Sequence, residues 1–438
     1  MGVKYSQYNT LLKVNDEFGL FYNAMSDKFI ILKSKAYDTL VNSDVALLQQ
    51  RDTVLYSQLL EVGGIVDVDV DEVQQVRDLI HQVDDDDTVF HLHVNPTVDC
   101  NFRCWYCYEN HVKGSKMSND TCEAVKRLID NIISQHVNLK LFQLSFFGGE
   151  PFLFFNVIAR PLIEYANNVC MHNAIELQVN FTTNGYLLSN NMIKLFENMN
   201  VNFQITLDGA KEQHDKTRFM KNGHGSFDRI VRNIKFLADG GHFVILRINY
   251  TIANIASISD IINSFDDVKN ENRKNIQFDF QRVWQDAGMA DDENAINETI
   301  IKYISFVRRK GFVAINSRII DNLRNSCYGD KKNYVLVNFD GNIFNCTARD
   351  FTIQNRSGYL SMDGNLIYDK TFPNCRKLTK FSRLVCHNCR IAPLCGGGCS
   401  QKAYENRTKD GCLYGYDESR KNEIIMDRFD TNFSSVWI

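Results

Sequence analysis

Between residues 89 and 312 the chain alternates short apolar or β-branched runs with segments of helical period, and this alternation restricts its fold more than any other feature. The runs fall at 89–95, 141–147, 176–182, 202–207, 243–251 and 276–283. The helical segments fall at 118–135, 155–169, 189–199, 226–239 and 255–267. Strand-like runs separated by helices imply parallel strands with helical crossovers. Six of them predict an α/β fold built on a partial (β/α)6 barrel rather than a full eightfold one. Ligands of parallel sheets bind beyond the C-terminal strand ends, so the chemistry is expected just after each run.

Two further domains are expected around this one. Residues 1–88 predict a small α+β unit, with strand-like runs at Phe18 to Tyr22 and Lys28 to Leu32 and helical segments at 36–42 and 71–83. Asp84–Asp87 closes it, because four successive like charges repel one another and resist burial, which reads as a solvated linker. Residues 313–438 predict a loop-rich domain held by metal, with Gly396-Gly397-Gly398 as a backbone-permissive stretch between cysteines. An apolar content of 44% supports sizeable cores, and a net charge of −4 gives no basic excess pointing to nucleic acid. The opening MGVKYSQYNT lacks an apolar signal core, and no stretch approaches the ~20 apolar residues of a membrane span, so a cytoplasmic protein is expected.

Thirteen cysteines in such a chain call for a metal rather than a disulfide framework. Cys122 and Cys170 stand alone, whereas three crowd into 100–107 and the rest lie between 327 and 412. The first run leads into Cys100-x3-Cys104-x2-Cys107, whose three thiolates can hold three corners of a [4Fe–4S] cube and leave the fourth iron open. Zinc is the rival occupant, short of a fourth ligand. The second run leads into Phe147-Gly148-Gly149-Glu150-Pro151 and the third into Thr182-Thr183-Asn184-Gly185. The fourth leads into Thr206-Leu207-Asp208-Gly209, with His214-Asp215 and Arg218 beyond it. Taken singly, each of these reads equally well as a turn or a strand-end cap.

Taken together they resemble the radical S-adenosylmethionine (SAM) superfamily. The resemblance implies that Cys100, Cys104 and Cys107 hold a catalytic [4Fe–4S] cluster. It also implies that Tyr106, Gly148, Gly149, Glu150, Pro151, Asn184, Thr206 and Arg218 contact SAM. Asp208 is a candidate proton acceptor by the same likeness, with a turn-forming Asp-Gly as the plainer alternative. Near the C-terminus, Cys327, Cys346, Cys386-x2-Cys389-x5-Cys395-x3-Cys399 and Cys412 resemble the SPASM domain, which carries two auxiliary [4Fe–4S] clusters. That likeness assigns Cys327, Cys346 and Cys399 to one cluster, with Cys375 as a spare fourth ligand. It assigns Cys386, Cys389, Cys395 and Cys412 to the other; a zinc ribbon is the competing reading.

The implied chemistry is reductive cleavage of SAM to a 5′-deoxyadenosyl radical, with three [4Fe–4S] clusters and an electron donor such as flavodoxin or ferredoxin. Residues 1–88 resemble, by pattern, the winged-helix domain that grips a leader peptide in ribosomal-peptide maturases; a generic cap covering the barrel mouth is the competing reading. The expected function is therefore oxidative crosslinking of a precursor peptide. An anaerobic sulfatase maturase making formylglycine from Cys or Ser is the alternative, and a non-catalytic peptide-binding partner protein is the alternative of another class.

Overall fold

The computed structural model describes residues 2–220, 223–286, 293–315, 320–369 and 378–433. The chain forms two compact units, one of residues 1–86, 318–332 and 371–438 and one of residues 87–317 and 333–370. The division at Asp86–Asp87 falls inside the acidic run.

The first unit opens with strands β1 (Val3–Tyr5), β2 (Asn9–Lys13), β3 (Phe18–Asn23) and β4 (Lys28–Lys33), and β5 (Ile65–Asp67) pairs back on β1. Strands β2, β3 and β4 make an antiparallel meander. Helix Ser34–Val41 follows β4, and helices Val45–Arg51, Thr53–Glu61 and Glu72–Asp84 each begin where an Asp side chain (Asp44, Asp52, Asp71) accepts an otherwise orphaned backbone N–H. Successive side chains of a strand point to opposite faces, so β3 serves two cores at once. Phe21 packs with Leu40, Leu48, Leu55 and Leu59 of the helices, and Tyr22 with Ile391, Ile424 and Ile425.

The acidic run is only partly the solvated linker its composition predicts. Asp84 is buried, because Lys380 places its Nζ 2.6 Å from Asp84 Oδ2, 2.8 Å from Ser326 Oγ and 3.7 Å from Asp330 Oδ2. The opposite charge removes the reason for Asp84 to stay in water, while Asp85, Asp86 and Asp87 remain exposed.

The second unit carries the expected strands as β6 (Val89–Val94), β7 (Leu141–Phe146), β8 (Glu176–Thr183), β9 (Asn200–Leu207), β10 (Phe243–Tyr250) and β11 (Ile276–Arg282). They lie side by side in chain order, all parallel. A short β12 (Val313–Ile315) extends the β11 edge. At the other edge β13 (Tyr334–Val337) pairs parallel with β6, followed by antiparallel β14 (Asn342–Phe344), β15 (Gly358–Leu360) and β16 (Leu366–Tyr368). Residues 333–370 therefore belong to the sheet-bearing unit, and the cysteine-rich stretch from Leu378 onward to the other.

One face of the parallel strands is apolar, with Phe142, Phe146, Phe181 and Phe203 packing against Phe152, Phe155 and Phe196. The other face is polar and bonded across neighbouring strands: Gln143 to Gln178, Asn180 to Ser145, and Asn202 to Asn180. That pairing satisfies groups that burial would otherwise penalise. No helix among the described residues is long and apolar enough to cross a membrane.

The Lys380 network sets a first prediction. Lys380→Met leaves two buried carboxylates without their cation and should destabilise the first unit by about 3–5 kcal/mol. Equilibrium denaturation of the full chain reads this, and a loss below about 1 kcal/mol would mean that the network carries no weight.

Candidate functional site

The site forms where β6, β7, β8 and β9 end. Beyond β6 the chain turns through the cysteine loop: Cys107 N–H donates to Cys104 O at 3.1 Å, and Cys100 Sγ accepts from Phe102 N–H at 3.4 Å. Cys100 is buried and Cys107 exposed. Burial pushes the Cys100 thiol up to about 12 and raises Cys104 as well. Such thiols stay protonated at neutral pH unless a cation stabilises the thiolate.

Gly148 and Gly149, just past β7, have positive φ of 79° and 31°. A Cβ on Gly149 would lie 2.0 Å from Asp99 O, so only glycine lets this backbone press against the cysteine loop. Glu150 then turns inward and is fully buried. Its Oε1 accepts from Thr183 Oγ1 at 2.7 Å and Phe152 N–H at 3.0 Å, and its Oε2 from Asn184 N–H at 2.8 Å. Burial pushes its carboxyl up and these hydrogen bonds pull it down. The Glu150 backbone N–H donates to Asp99 O at 2.9 Å, closing the link to the cysteine loop.

Past β9 a second network is centred on Tyr106. Its hydroxyl donates to Asp208 Oδ2 and accepts from Arg218 Nη1 at 2.7 Å and Asn249 Nδ2 at 3.1 Å. Arg218 also lies 3.8 Å from Asp208 Oδ1. His214 holds this corner from behind. Burial keeps it neutral, and its Nδ1 accepts from Asp208 N–H, which leaves Nε2–H to donate to Ser226 Oγ; that hydroxyl in turn donates to Arg218 O.

A cavity of about 120 Å³ collects Cys100, Cys104, Cys107, Tyr106, Gly148, Gly149, Asn184, Thr206 and Arg218. Three of the expected residues are not in its lining. Glu150 and Pro151 are buried beneath it, and Asp208 sits behind Tyr106, where burial raises its carboxyl and Arg218 lowers it. Glu109, which the sequence does not single out, does line the cavity. It accepts from Gly149 N–H at 2.7 Å and is pushed up to about 7 by burial. Only its position two residues past Cys107 could have pointed to it.

In the other unit, Cys386, Cys389, Cys395 and Cys412 line one cavity of about 50 Å³. Gly396, Gly397 and Gly398 all have positive φ and turn the chain between Cys395 and Cys399. Cys327 and Cys399 belong to this unit and Cys346 to the sheet-bearing one, while Cys375 lies outside the described residues.

The radical SAM superfamily profile matches residues 94–268, from the end of β6 to just before β11. This region is a radical SAM domain. Such a domain binds a [4Fe–4S] cluster and SAM, and the three thiols and the glycine-lined cavity beside them suit both. A cysteine-type anaerobic sulfatase-maturating enzyme of Clostridium novyi is 31% identical over 141 residues, 32% of this chain. That match spans only 37% of the relative's own length. The fold is similar to that of native anSMEcpe with bound AdoMet, with a TM-score of 0.61 at 17% identity over 80% of this chain and 100% of that one. It is also similar to Streptococcus suis SuiB bound to precursor peptide SuiA, with a TM-score of 0.51 at 14% identity over 95% of this chain and 99% of that one.

The close approach in the radical SAM domain yields a second prediction. Gly149→Ala must displace the cysteine loop, so reconstituted protein should lose about four irons per chain. Iron analysis checks it; an unchanged iron content would show that the loop tolerates the displacement.

Proposed function

We propose that the chain is a radical SAM peptide maturase that oxidatively installs a thioether or carbon–carbon crosslink in a ribosomally made peptide. The observation that carries this reading is the single cavity shared by the three thiols, the Gly148–Gly149 backbone, Asn184, Thr206 and Arg218. When bound there, the cluster and SAM supply a 5′-deoxyadenosyl radical that takes hydrogen from an unactivated carbon. Arg218, fixed by Tyr106 and Asp208, offers its charge to the SAM carboxylate, and the glycine backbone admits the methionine portion. Asp208 acts here as a positioning residue rather than a proton acceptor, since it is buried, lies outside the cavity lining and bonds to Tyr106 and Arg218, which belong to that lining.

Oxidation of the peptide releases a further electron, for which auxiliary clusters are the proposed sink. The shared cavity of Cys386, Cys389, Cys395 and Cys412 supports one of them. Cys327, Cys346 and Cys399 are proposed for the other, and a flavodoxin or ferredoxin as the electron source. The β2–β4 meander followed by short helices supports a winged-helix reading of residues 1–88. Its edge strand β4 can add an extended leader through main-chain hydrogen bonds. The likeness to SuiB, bound to precursor peptide SuiA, extends over 95% of the chain and supports a peptide substrate. A sulfatase maturase is the second reading, favoured by the Clostridium novyi match.

Co-expression with any short open reading frame found beside the gene tests the proposal. A crosslinked peptide should lose about two mass units, two hydrogens having been removed, and the Cys100, Cys104 and Cys107 triple Ala variant should leave it unmodified. Formylglycine in a co-expressed sulfatase, with the short peptide unchanged, would decide for the second reading.

A further inference from the structure

Next to the cavity that holds the cysteine loop lies another of about 190 Å³, and Tyr106, Cys107, Glu109, Thr206 and Arg218 are among the residues that line both. Its far side is built from the ends of β9, β10 and β11 and the residues after them: Gln204, Arg247, Asn249, Arg282 and Trp284. Three guanidinium groups face this space, and two are committed. Arg218 is held by Tyr106 and Asp208. Arg282 donates through Nε to Asp286 Oδ2 at 3.2 Å and through Nη2 to Asp286 O at 2.8 Å.

Arg247 differs. Its Nε donates to Asn249 Oδ1 at 3.1 Å, and among the described residues no carboxylate reaches ion-pair distance of it. Asp279 faces it from the paired position on β11, where that carboxylate accepts from Gln281 at 2.7 Å; burial raises its carboxyl, and the Gln281 hydrogen bond and the Arg247 charge lower it. The Asn249 that holds Nε also donates to the Tyr106 hydroxyl, so the guanidinium is oriented by the same hub that orders the cysteine-loop cavity. Holding Nε leaves the Nη fork, the geometry that matches a carboxylate with two parallel hydrogen bonds. At the rim, Tyr108 and Trp284 stack at 5.9 Å and 14°, and Trp284 is 60% exposed, an apolar shelf beside the charge.

We propose that Arg247 determines substrate specificity by binding a carboxylate of the peptide, from an acidic side chain or a chain terminus, while the neighbouring residue lies on the Tyr108–Trp284 pair. This rests on the reading that the substrate is a peptide. A lysine would be a weaker replacement, because a point charge lacks the planar fork.

The test uses reconstituted holoenzyme with SAM and dye-labelled, end-blocked hexapeptides that differ only in a central Asp, Glu, Asn or Lys. A second set carries a central Asn with a free or an amidated C-terminus. Fluorescence anisotropy should give about tenfold or tighter binding of the carboxylate form over its amide in one set, the set identifying the source. Arg247→Gln should erase that preference and keep amide-peptide affinity within about twofold, and Arg247→Lys should restore part of it. Peptides bound without any carboxylate preference, or a preference that survives Arg247→Gln, would overturn the assignment while leaving a peptide substrate in place. Weaker SAM binding by Arg247→Gln without peptide, with the peptide preference intact, would overturn it in favour of the SAM carboxylate. No binding of any peptide by the unaltered holoenzyme would overturn the peptide reading and the Arg247 assignment together.

Discussion

The carboxylate of Glu150 is cut off from water and accepts three hydrogen bonds, from Thr183, Asn184 and Phe152. Two of these donors stand at the end of β8 and the third in the turn after β7, while the Glu150 backbone is tied to Asp99 at the mouth of the cysteine loop. One residue, through side chain and backbone together, thus links three strand ends. A buried carboxylate is costly unless its lone pairs are satisfied, so the clamp tolerates little rearrangement. The position of Gly149 against Asp99, and hence of Cys100, depends on it. Asn184, held by its own N–H to Glu150, passes that order onward through its side-chain bond to Asn101 at 2.8 Å.

Across the cavity, the Tyr106 hydroxyl plays the matching part with opposite charge balance. It joins Asp208, Arg218 and Asn249, which come from three different segments, and Arg247 is ordered through the last of them. Tyr106 sits inside the cysteine loop itself. Any ligand that alters the loop therefore acts directly on the groups proposed to hold SAM and substrate. Networks of this kind are strong when complete and weak when one member is lost, which makes the site cooperative as well as ordered.

Much of this was legible in the sequence. The six parallel strands follow from the alternation of runs and helical segments, and the cysteine loop and the Gly-Gly turn fall where strand ends should carry chemistry. The placing of residues 313–438 was not legible, because it turns on β13 pairing with β6, a contact between segments more than two hundred residues apart. The run Tyr334–Val337 is short and buried on both faces, so periodicity gives no sign of its partner. Glu150 and Pro151, which the resemblance assigns to the cofactor, are buried and lie outside the cavity lining, a placement that the motif alone does not reveal. Glu109 and Asn249 were missed for the opposite reason: a single polar residue after a strand or loop looks like any turn cap until its neighbours are known. The burial of Asp84 shows the same limit, since its cation lies nearly three hundred positions away.

The central claim is that SAM binds directly to an iron cluster held by Cys100, Cys104 and Cys107. The most direct measurement is the electron paramagnetic resonance spectrum of the reduced, reconstituted protein, recorded with and without SAM. The account predicts that adding SAM shifts the signal of one cluster, because its ligands enter the open iron position. A spectrum that stays the same at saturating SAM would contradict it.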